Sequence, residues 1–350
     1  MADLEGFART LLEGAGMPAD KAGDVAAILV EGDRLGKTTH GLAALAPYLR
    51  EIESGGMAVE GGPAVIRDHA ACLTWDGRRL PGPWLMLRAV DEAIARAGTY
   101  GMGAVAVQRS HHTACLGTYA RRAVERGYLL LLTLTDPGHS SVAPFGGSTP
   151  VLTSNPIAFG APMDGPPILI DMATALLTNA AVAQAQKRGE PLASPDLLDN
   201  QGRPSADPAV MAASPPGTIL PLGGVAAGHK GSAISLMVEL LTGCLSGHGR
   251  AFPREGWGAS VFLLALDPEA FGGRAAYRMQ AEHLADLCRA STVRPGFDRV
   301  VLPGEAAIER FARSAREGLA VADAVLEPLR PFAAGQGVAM PEPLSGGGVA

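Results

Sequence analysis

Apolar residues recur with a helical period at both ends of the chain. Leu4, Phe7 and Leu11 fall on one face of a first helix, and two further helical runs follow before residue 60. Near the other end, the run GEAAIERFARSAREGLAVADAVLEPL has the same period. It starts at Glu305, where a carboxylate stabilises a helix N-terminus. Both ends of the chain are therefore predicted to be helical.

The middle of the chain alternates between two periods. Short apolar runs rich in β-branched residues predict strands: ACLTWDG, GAVAVQRS, YLLLLTLTD and SVFLLALD. Longer runs with a 3.6-residue period, WLMLRAVDEAIARAG and YARRAVERG, predict the helices between them. A further strand ends on an aspartate in PPILIDMAT. Strands that alternate with helices indicate an α/β layered domain.

These patterns divide the chain. We predict an α/β domain over residues 63–303 and a helical domain formed from 1–62 and 304–340, with 341–350 as a loose tail. Within the α/β domain, residues 187–224 are rich in Pro, Gly and Ser and are expected to form an arm over the surface. The apolar run GHKGSAISLMVELLTGCLSG that follows is expected to be a buried helix.

Composition narrows the class of protein. The 350 residues are 47% hydrophobic and 18% charged, and the net charge of −6 includes no basic block, so nucleic acid is not an expected partner. Four cysteines stand apart without a CxxC pair, which argues against a zinc cluster. The chain begins with an acidic amphipathic segment rather than a signal peptide, and no apolar run is long enough to span a membrane. We expect a cytoplasmic enzyme without a metal.

Three segments contain candidate catalytic groups. Asp171 follows a buried strand, where a carboxylate either caps the next helix or takes part in chemistry. His40 lies between two predicted helices, with Thr39 as a possible cap of the second; it is either a surface histidine or a general acid and base. His111 and His112 follow a strand, at the kind of loop where α/β sheets bind ligands.

Other catalytic and nucleotide-binding patterns are missing. Neither GxGxxG nor a P-loop is present, and there is no GxSxG elbow, so Rossmann, P-loop and serine hydrolase sites are disfavoured. Two glycine-containing segments could still hold a dinucleotide: Phe145-Gly146-Gly147 and Gly228-His229-Lys230-Gly231. The second is the stronger candidate, because it combines a cation with an expected helix N-terminus. The alternative is a simple loop before a helix.

Taken in order, the motifs resemble those of the malate/L-lactate dehydrogenase family of the second type. That family includes sulfolactate, ureidoglycolate and diketogulonate dehydrogenases and cyclic-imine acid reductases. The motifs that match are THG at 39–41, RSHHTACLGTYA at 109–120, PFGG at 144–147, NPIAFGAP at 155–162, DMAT at 171–174, GRPSADP at 202–208, GHKG at 228–231 and LPGE at 302–305. Eight motifs in register cover roughly residues 5–335.

The resemblance implies an α/β fold with a non-Rossmann dinucleotide-binding domain, a mixed sheet flanked by helices, and a helical domain from both chain ends. It implies a homodimer that uses NAD or NADP to move a hydride to or from a 2-hydroxy/2-keto acid. His40 is the first choice for proton donor and acceptor, and the other catalytic positions are His112 and Asp171. The implied cofactor-binding residues are Ser110, Asn155, Asp171, Met172, Ala173, Thr174, His229, Lys230, Pro303, Gly304 and Glu305. Thr39 and Asn155 are implied to bind substrate.

The chain departs from the family pattern at positions that matter for substrate. An arginine expected four residues after the first histidine is Ala44, and a glycine expected two residues after His112 is Ala114. Without the arginine at position 44, a charge-assisted hydrogen bond to a substrate carboxylate is lost, which removes roughly 1.5–3 kcal/mol of binding free energy. Arg34, Lys37 and Arg109 are the candidates to hold a substrate carboxylate instead.

The Gly-Lys that the family has after DMAT is replaced here by Ala180-Ala181, which alters some expected cofactor contacts. Two alternatives to a hydroxy-acid dehydrogenase stay open at this point. One is a cyclic-imine acid reductase that forms a secondary amine. The other is a non-catalytic ligand-binding or scaffold protein of the same fold.

Overall fold

The computed structural model describes residues 2–253 and 256–342. The predicted loose tail lies outside the described residues from position 343 onward. The helices are α1 (Ala2–Gly14), α2 (Ala19–Arg34), α3 (Leu45–Glu53), α4 (Gly82–Tyr100), α5 (Leu116–Glu125), α6 (Asn179–Arg188), α7 (Gly224–Glu239), α8 (Arg274–Arg289), α9 (Glu305–Glu317), α10 (Asp323–Leu326) and α11 (Arg330–Gln336). The strands are β1 (Ala64–His69), β2 (Cys72–Asp76), β3 (Met102–Ser110), β4 (Leu129–Thr135), β5 (Ile157–Ala161), β6 (Ile168–Met172), β7 (Leu197–Leu198), β8 (Pro204–Ser205), β9 (Thr218–Ile219) and β10 (Ala259–Leu266).

Seven strands form one mixed sheet in the order β1-β2-β3-β10-β4-β5-β6. The β2–β3 pair is parallel, and the other five pairs are antiparallel. Strand β10 therefore returns from late in the chain to lie between β3 and β4. The helices α4, α5 and α7 pack against this sheet. The strands and helices predicted from the sequence periods are confirmed, and the fold is an α/β fold with a mixed sheet.

The helices from the two chain ends pack on each other. Contacts join α1 to α11 and α2 to α9, and α2 also contacts α4 and α5 of the sheet layer. A continuous core of buried apolar side chains runs from α1 and α2 into the sheet. The helical ends are thus built onto the sheet. The division into two domains at residues 62 and 304 stays a prediction.

The arm predicted over residues 187–224 has structure of its own. It contains a small antiparallel sheet in the order β8-β7-β9, and a separate apolar cluster packs beneath it around Leu197, Ile219 and Val142. This small core explains why a segment rich in Pro and Gly holds a defined conformation. In the ranges that the structure describes, no helix combines the length and the apolar composition needed to cross a membrane.

The prediction of a buried helix after the arm is wrong in the single chain. Helix α7 packs with one face, through residues such as Gly231, Ser235 and Val238. Its other face leaves Leu236 and Met237 exposed to solvent. Small residues on one side let the helix approach the sheet closely, while the large apolar residues point away from it.

Candidate active site

His40 ends a short 3₁₀ turn that follows α2. The turn is anchored by Asp33, whose carboxylate accepts a hydrogen bond of 2.7 Å from the backbone N–H of Leu42. A Cβ at Gly41 would overlap the Asp33 carboxyl group, so this position requires glycine. The expected capping role of Thr39 is wrong: its hydroxyl lies 2.9 Å from His40 Nδ1 instead. Thr39 therefore orients the imidazole.

The loop that carries His112 leaves the sheet at the end of β3. Arg109 and Ala114, on either side of it, both have positive φ angles, of 52° and 58°. Such angles are costly for residues with a Cβ and tend to occur at functional sites. A positive φ at Ala114 fits the glycine that the family resemblance implies at this position. The Ser110 hydroxyl donates a 2.8 Å hydrogen bond to the carbonyl oxygen of His111, which holds the loop in this shape.

Strand pairing brings a distant tryptophan to this loop. Ala259 of β10 pairs with Ser110 of β3 in an antiparallel register. Trp257, two residues before Ala259, consequently lies beside His112, two residues after Ser110. The two ring centroids are 4.5 Å apart and the planes differ by 28°.

Three rings contact His112, those of Trp257, His40 and Tyr48. The His40 ring is stacked with it at 5.7 Å between centroids. The Tyr48 hydroxyl lies 2.7 Å from His112 Nδ1 and 3.1 Å from the His112 carbonyl oxygen. Tyr48 is fully buried, as expected for a tyrosine whose hydroxyl has found partners. His40 and His112 keep partial exposure, so both can meet a substrate.

His111 has a different environment from its neighbour. It is fully buried, and its Nε2 atom lies 3.2 Å from a carboxylate oxygen of Glu51. The Arg79 guanidinium lies 3.8 Å from the same carboxylate. Burial lowers the pKa of His111, and Glu51 opposes this shift. We infer that His111 is a neutral donor to Glu51 and a structural support for the loop.

Burial is the main influence on the two accessible histidines. It lowers the pKa of His112 well below its ordinary value, and the neighbouring His40 and His111 lower it further. Burial also lowers the pKa of His40, while the Asp171 carboxylate raises it and the Lys37 ammonium lowers it. Both rings are therefore mainly neutral at pH 7 in the free protein, as a proton acceptor needs to be.

Asp171 lies near the end of β6 and is held on three sides. Its Oδ2 atom accepts a 2.9 Å hydrogen bond from the N–H of Gly117 in the first turn of α5, and Cys115 Sγ lies 3.5 Å away. Lys37 Nζ donates to its carbonyl oxygen at 2.9 Å. The alternative in which Asp171 caps the next helix is excluded, because the Thr178 side chain caps α6. The carboxylate instead stabilises the N-terminus of α5.

A groove of about 520 Å³ opens beside Asp171. Four of the predicted cofactor-binding residues line it: Asp171, Met172, Pro303 and Gly304. Lys37 and Arg310 supply cations, and glycines such as Gly36 and Gly117 expose backbone on its wall. The structure thus brings together residues 169–172 and 302–310, two segments that lie far apart in the chain.

Asn155 and Thr174 lie deeper, in a buried polar network. The Asn155 amide donates to Glu239 at 2.9 Å and to the Ser235 hydroxyl at 3.0 Å. Thr174 donates to the Asn155 carbonyl oxygen at 3.0 Å. Glu239 is paired with Arg250 at 2.6 Å, so the network contains a compensated charge. Asn155 itself has a positive φ of 39° and sits just before β5. Because Ile157 of β5 pairs with Met172 of β6, the residues after β6, Ala173 and Thr174, lie beside Asn155.

The GHKG segment is not at a helix N-terminus, which corrects the sequence expectation. Helix α7 begins at Gly224, so Gly228 and Gly231 lie inside it. Backbone N–H groups beyond the first turn are bonded within a helix and are not free to bind an anion. His229 and Lys230 are exposed on α7, and the His229 ring meets Phe145 edge-on at 5.5 Å.

The remaining predicted residues are held by other groups. Arg34 donates to the Ser314 hydroxyl at 3.0 Å, and Arg109 is paired with Asp76. Glu305 begins α9, as expected, and bonds Arg289 at 3.0 Å. Of the three cations considered for a substrate carboxylate, Lys37 is the one that lines the groove. The binding roles of all these residues stay predictions.

Two residues of the site were missed in the sequence. Tyr48 lies eight residues after His40 in the amphipathic run that forms α3. Its position among the apolar residues of that run was the signal that could have found it, and the structure buries it fully. Trp257 stands in a loop with no sequence link to His112. Only the pairing of β10 with β3 brings that ring to the site.

Comparison with known proteins identifies the family of the chain. The family model described as malate/L-lactate dehydrogenase matches residues 1–330. The L-lactate dehydrogenase of Cupriavidus necator is 33% identical over 343 residues, which cover 96% of this chain and 97% of that protein. The (2R)-3-sulfolactate dehydrogenase (NADP(+)) of Chromohalobacter salexigens is 32% identical over 340 residues, 95% of this chain and 96% of that protein.

A solved structure extends the likeness to the fold. The delta1-piperideine-2-carboxylate reductase of Pseudomonas syringae pathovar tomato superposes with a TM-score of 0.81 and 28% identity. The match covers 94% of this chain and 97% of that chain. The chain therefore belongs to the malate/L-lactate dehydrogenase family of dehydrogenases and reductases.

Proposed function

We propose that the protein transfers a hydride between a nicotinamide cofactor, NAD or NADP, and the carbon of a small 2-hydroxy or 2-keto acid, with a histidine as proton donor and acceptor. The observation that carries this proposal is the 2.7 Å contact between the Tyr48 hydroxyl and His112 Nδ1. It lies within a cluster of two accessible histidines, and one of them, His40, is close enough to Asp171 in the groove wall for the carboxylate to raise its pKa.

The groove fits a dinucleotide by size and by charge. Its volume lies within the range of about 300–1,000 Å³ that is usual for small-molecule sites. Arg310 would face the negative pyrophosphate, while Met172 and Pro303 offer apolar contact. When bound there, the nicotinamide ring supplies or takes the hydride. This site would hold the dinucleotide without the glycine-rich turn of a Rossmann fold, consistent with the missing GxGxxG motif.

The hydrogen bonds of Tyr48 decide what His112 can do. The hydroxyl has one hydrogen, and the His112 carbonyl oxygen can only accept. When that hydrogen goes to the carbonyl, the hydroxyl oxygen accepts from Nδ1–H and leaves the Nε2 lone pair free. The Ala114 N–H also points at Nδ1 and favours the opposite tautomer, but at 3.4 Å it is the longer and weaker of the two contacts. His112 can then take a proton from a substrate hydroxyl during oxidation and return it to a carbonyl oxygen during reduction. For this reason we propose His112, rather than His40, as the residue that carries the proton.

Asp171 would support this step by its charge, and His40 by a hydrogen bond. The Asp171 carboxylate raises the pKa of His40 against the effect of burial. Its Oδ2 atom is directed to Gly117, so it acts on the imidazole through space rather than by orienting it. The proposed role of His40 is a hydrogen-bond donor to the substrate oxygen, held in place by Thr39.

Lys37 is the proposed partner of the substrate carboxylate. Its ammonium has three N–H donors, and the bond to the Asp171 carbonyl uses one of them. The charge is close enough to His40 to lower its pKa. Arg34 lies over the Phe311 ring and Arg109 is paired with Asp76, which makes both weaker candidates.

A cyclic-imine acid is the second candidate substrate, favoured by the similarity to the piperideine-2-carboxylate reductase. The same cofactor and the same histidine would serve, with the proton going to nitrogen. The product separates the two reactions, because an imine reductase forms a secondary amine and leaves 2-keto acids unchanged.

We also propose that the protein is a homodimer, as the family resemblance implies. A helix that is apolar on all sides is normally buried. In α7 and the turn after it, Leu236, Leu240 and Leu245 are each more than half exposed, at 54%, 56% and 58%. A second copy of the chain packed on this face would remove these side chains from water.

Turnover tests the proposed function directly. Oxidation of NADH and NADPH is followed with a panel of 2-keto acids, 3-sulfonated 2-keto acids and cyclic-imine acids, on the wild type and on His112→Ala and His40→Ala. We expect His112→Ala to lower kcat by about 10²–10⁴, and His40→Ala to lower it less. A larger loss of kcat in His40→Ala than in His112→Ala would identify His40 as the proton carrier instead. No turnover with any member of the panel, and no binding of either dinucleotide, would favour the non-catalytic alternative.

A further inference from the structure

One face of the His112 ring is covered by Trp257. The planes are inclined by 28° and the centroids are 4.5 Å apart, which is a stacked geometry. The edge of His111 meets the same indole at 5.2 Å, and Tyr48 lies 5.7 Å from it. Trp257 is half-buried, and it is the largest ring in contact with the proposed proton carrier.

The position of the indole is fixed by the backbone around it. Arg79 donates to the Trp257 carbonyl oxygen at 3.4 Å and to the Gly56 carbonyl oxygen at 2.6 Å. The same guanidinium faces Glu51, the partner of His111. The segment before β10 is thereby tied to the turn after α3, which holds the backbone of Trp257 beside the loop that carries His112.

We propose that Trp257 is a positioning residue that stabilises the protonated form of His112 and holds its ring plane. This inference rests on the proposed function only in naming His112 as the proton carrier. The negative face of an indole attracts a cation more strongly than any other side-chain ring. A neutral imidazole gains only dispersion and stacking from the same contact. The indole therefore favours the imidazolium.

The other groups around His112 mostly act in the opposite direction. On its own loop, His111 opposes a second positive charge, and so does His40 at the end of its turn. Behind them stand the Glu51 carboxylate with the Arg79 guanidinium, and the charges of Asp171 and Lys37, which act on His40 in opposite directions. From α3, the Tyr48 oxygen can accept from Nδ1–H. Tyr48 and Trp257 are thus the two contacts that favour protonation of a ring whose pKa burial has lowered.

The size of the effect follows from the strength of a cation–π contact. In a partly desolvated site it changes the equilibrium about 3- to 30-fold, or a shift of about 0.5–1.5 in pKa. Trp257→Leu removes the π face and keeps apolar bulk, so the His112 pKa should fall by this amount. Trp257→Phe keeps an aromatic ring whose face attracts a cation less strongly, so the His112 pKa should fall by less in this variant.

The experiment is an NMR titration of the ring carbons and nitrogens of labelled histidine in the full chain, with His112→Gln to assign the signal. Trp84→Phe serves as the matched control, because Trp84 lies over Lys21 and Arg88 and not at this site. We expect the titration midpoint of His112 to be highest in the wild type, lower in Trp257→Phe and lowest in Trp257→Leu. The midpoint in Trp84→Phe should equal that of the wild type. Equal midpoints in all four proteins would overturn the proposal.

Two further readouts keep the proposal open to refutation. If acid unfolding precedes the titration, the acid limb of kcat/KM replaces it, because that limb reports the free enzyme's essential groups. If Trp257→Leu fails to fold, the comparison of Trp257→Phe with wild type decides. A wild type without turnover would refute the proposed function, whereas the order of NMR midpoints would still test Trp257.

Discussion

Asp33 is the buried carboxyl group whose removal has the best-defined consequence. It lies in the last turn of α2 with 8% of its surface exposed, and it anchors the turn that carries His40. Burial raises its pKa from 3.8 to about 6, against the opposing effect of the hydrogen bond from Leu42. The substitution Asp33→Asn keeps the size and an oxygen that can accept from Leu42, but it cannot ionise.

The sign follows from the two pKa values. Below pH 3.8 the carboxyl group is protonated in the folded and unfolded chains, and its ionisation costs nothing. As the pH rises towards 6, the unfolded chain loses the proton first, so the free energy of unfolding falls. Above pH 6 the Asp33 carboxyl group is ionised in both states, and the free energy of unfolding is lowered by the full cost of burying its charge. A shift of about 2 pH units corresponds to about 3 kcal/mol, and Asp33→Asn is free of it.

Urea unfolding of wild type and Asp33→Asn at several pH values between 4 and 8 measures this difference. We expect Asp33→Asn to gain about 3 kcal/mol relative to wild type over this range, with most of the change between pH 4 and 6. Asp298→Asn, at an exposed position, is the matched control and should show no such trend. A stability difference that does not change with pH, or that changes in favour of wild type as pH rises, would refute the reasoning.

Two further predictions concern the ring cluster and the assembly. Tyr48→Phe removes the hydroxyl from His112 Nδ1, and we expect kcat to fall about 10- to 100-fold, the value of one hydrogen bond to a charged group; a change in KM alone would limit Tyr48 to substrate binding. Leu240→Glu places a charge on the exposed apolar face, and light scattering should show monomers in place of dimers. A wild type that is monomeric at micromolar concentration would contradict the assembly proposal.

Much of the fold could be predicted because local periodicity reports it. The strand that ends on Ser110 and the helix that begins at Glu305 are both where their patterns indicated. Apolar residues must face the core at the period of their element, so this signal needs no knowledge of distant contacts. The candidate positions His40, His112 and Asp171 were proposed from sequence motifs; the structure stacks His40 on His112 and brings the Asp171 carboxylate near His40, while their catalytic roles stay predictions.

Predictions failed where burial depends on partners outside the segment. The run from Gly228 was expected to start a buried helix, but α7 starts four residues earlier and exposes one apolar face. An apolar pattern reports that a surface will be covered. It does not report whether the same chain or a second copy covers it.

The sequence by itself determined the order of elements, the family and the residue types available for chemistry, because these follow from periodicity and from motifs of adjacent residues. Only the tertiary structure decided which groups act on which. The antiparallel pairing of β10 with β3 brings Trp257 to His112, and the packing of α3 brings the Tyr48 hydroxyl there. Register between strands and contact between helices are set by the whole core, since each depends on elements far apart in the chain.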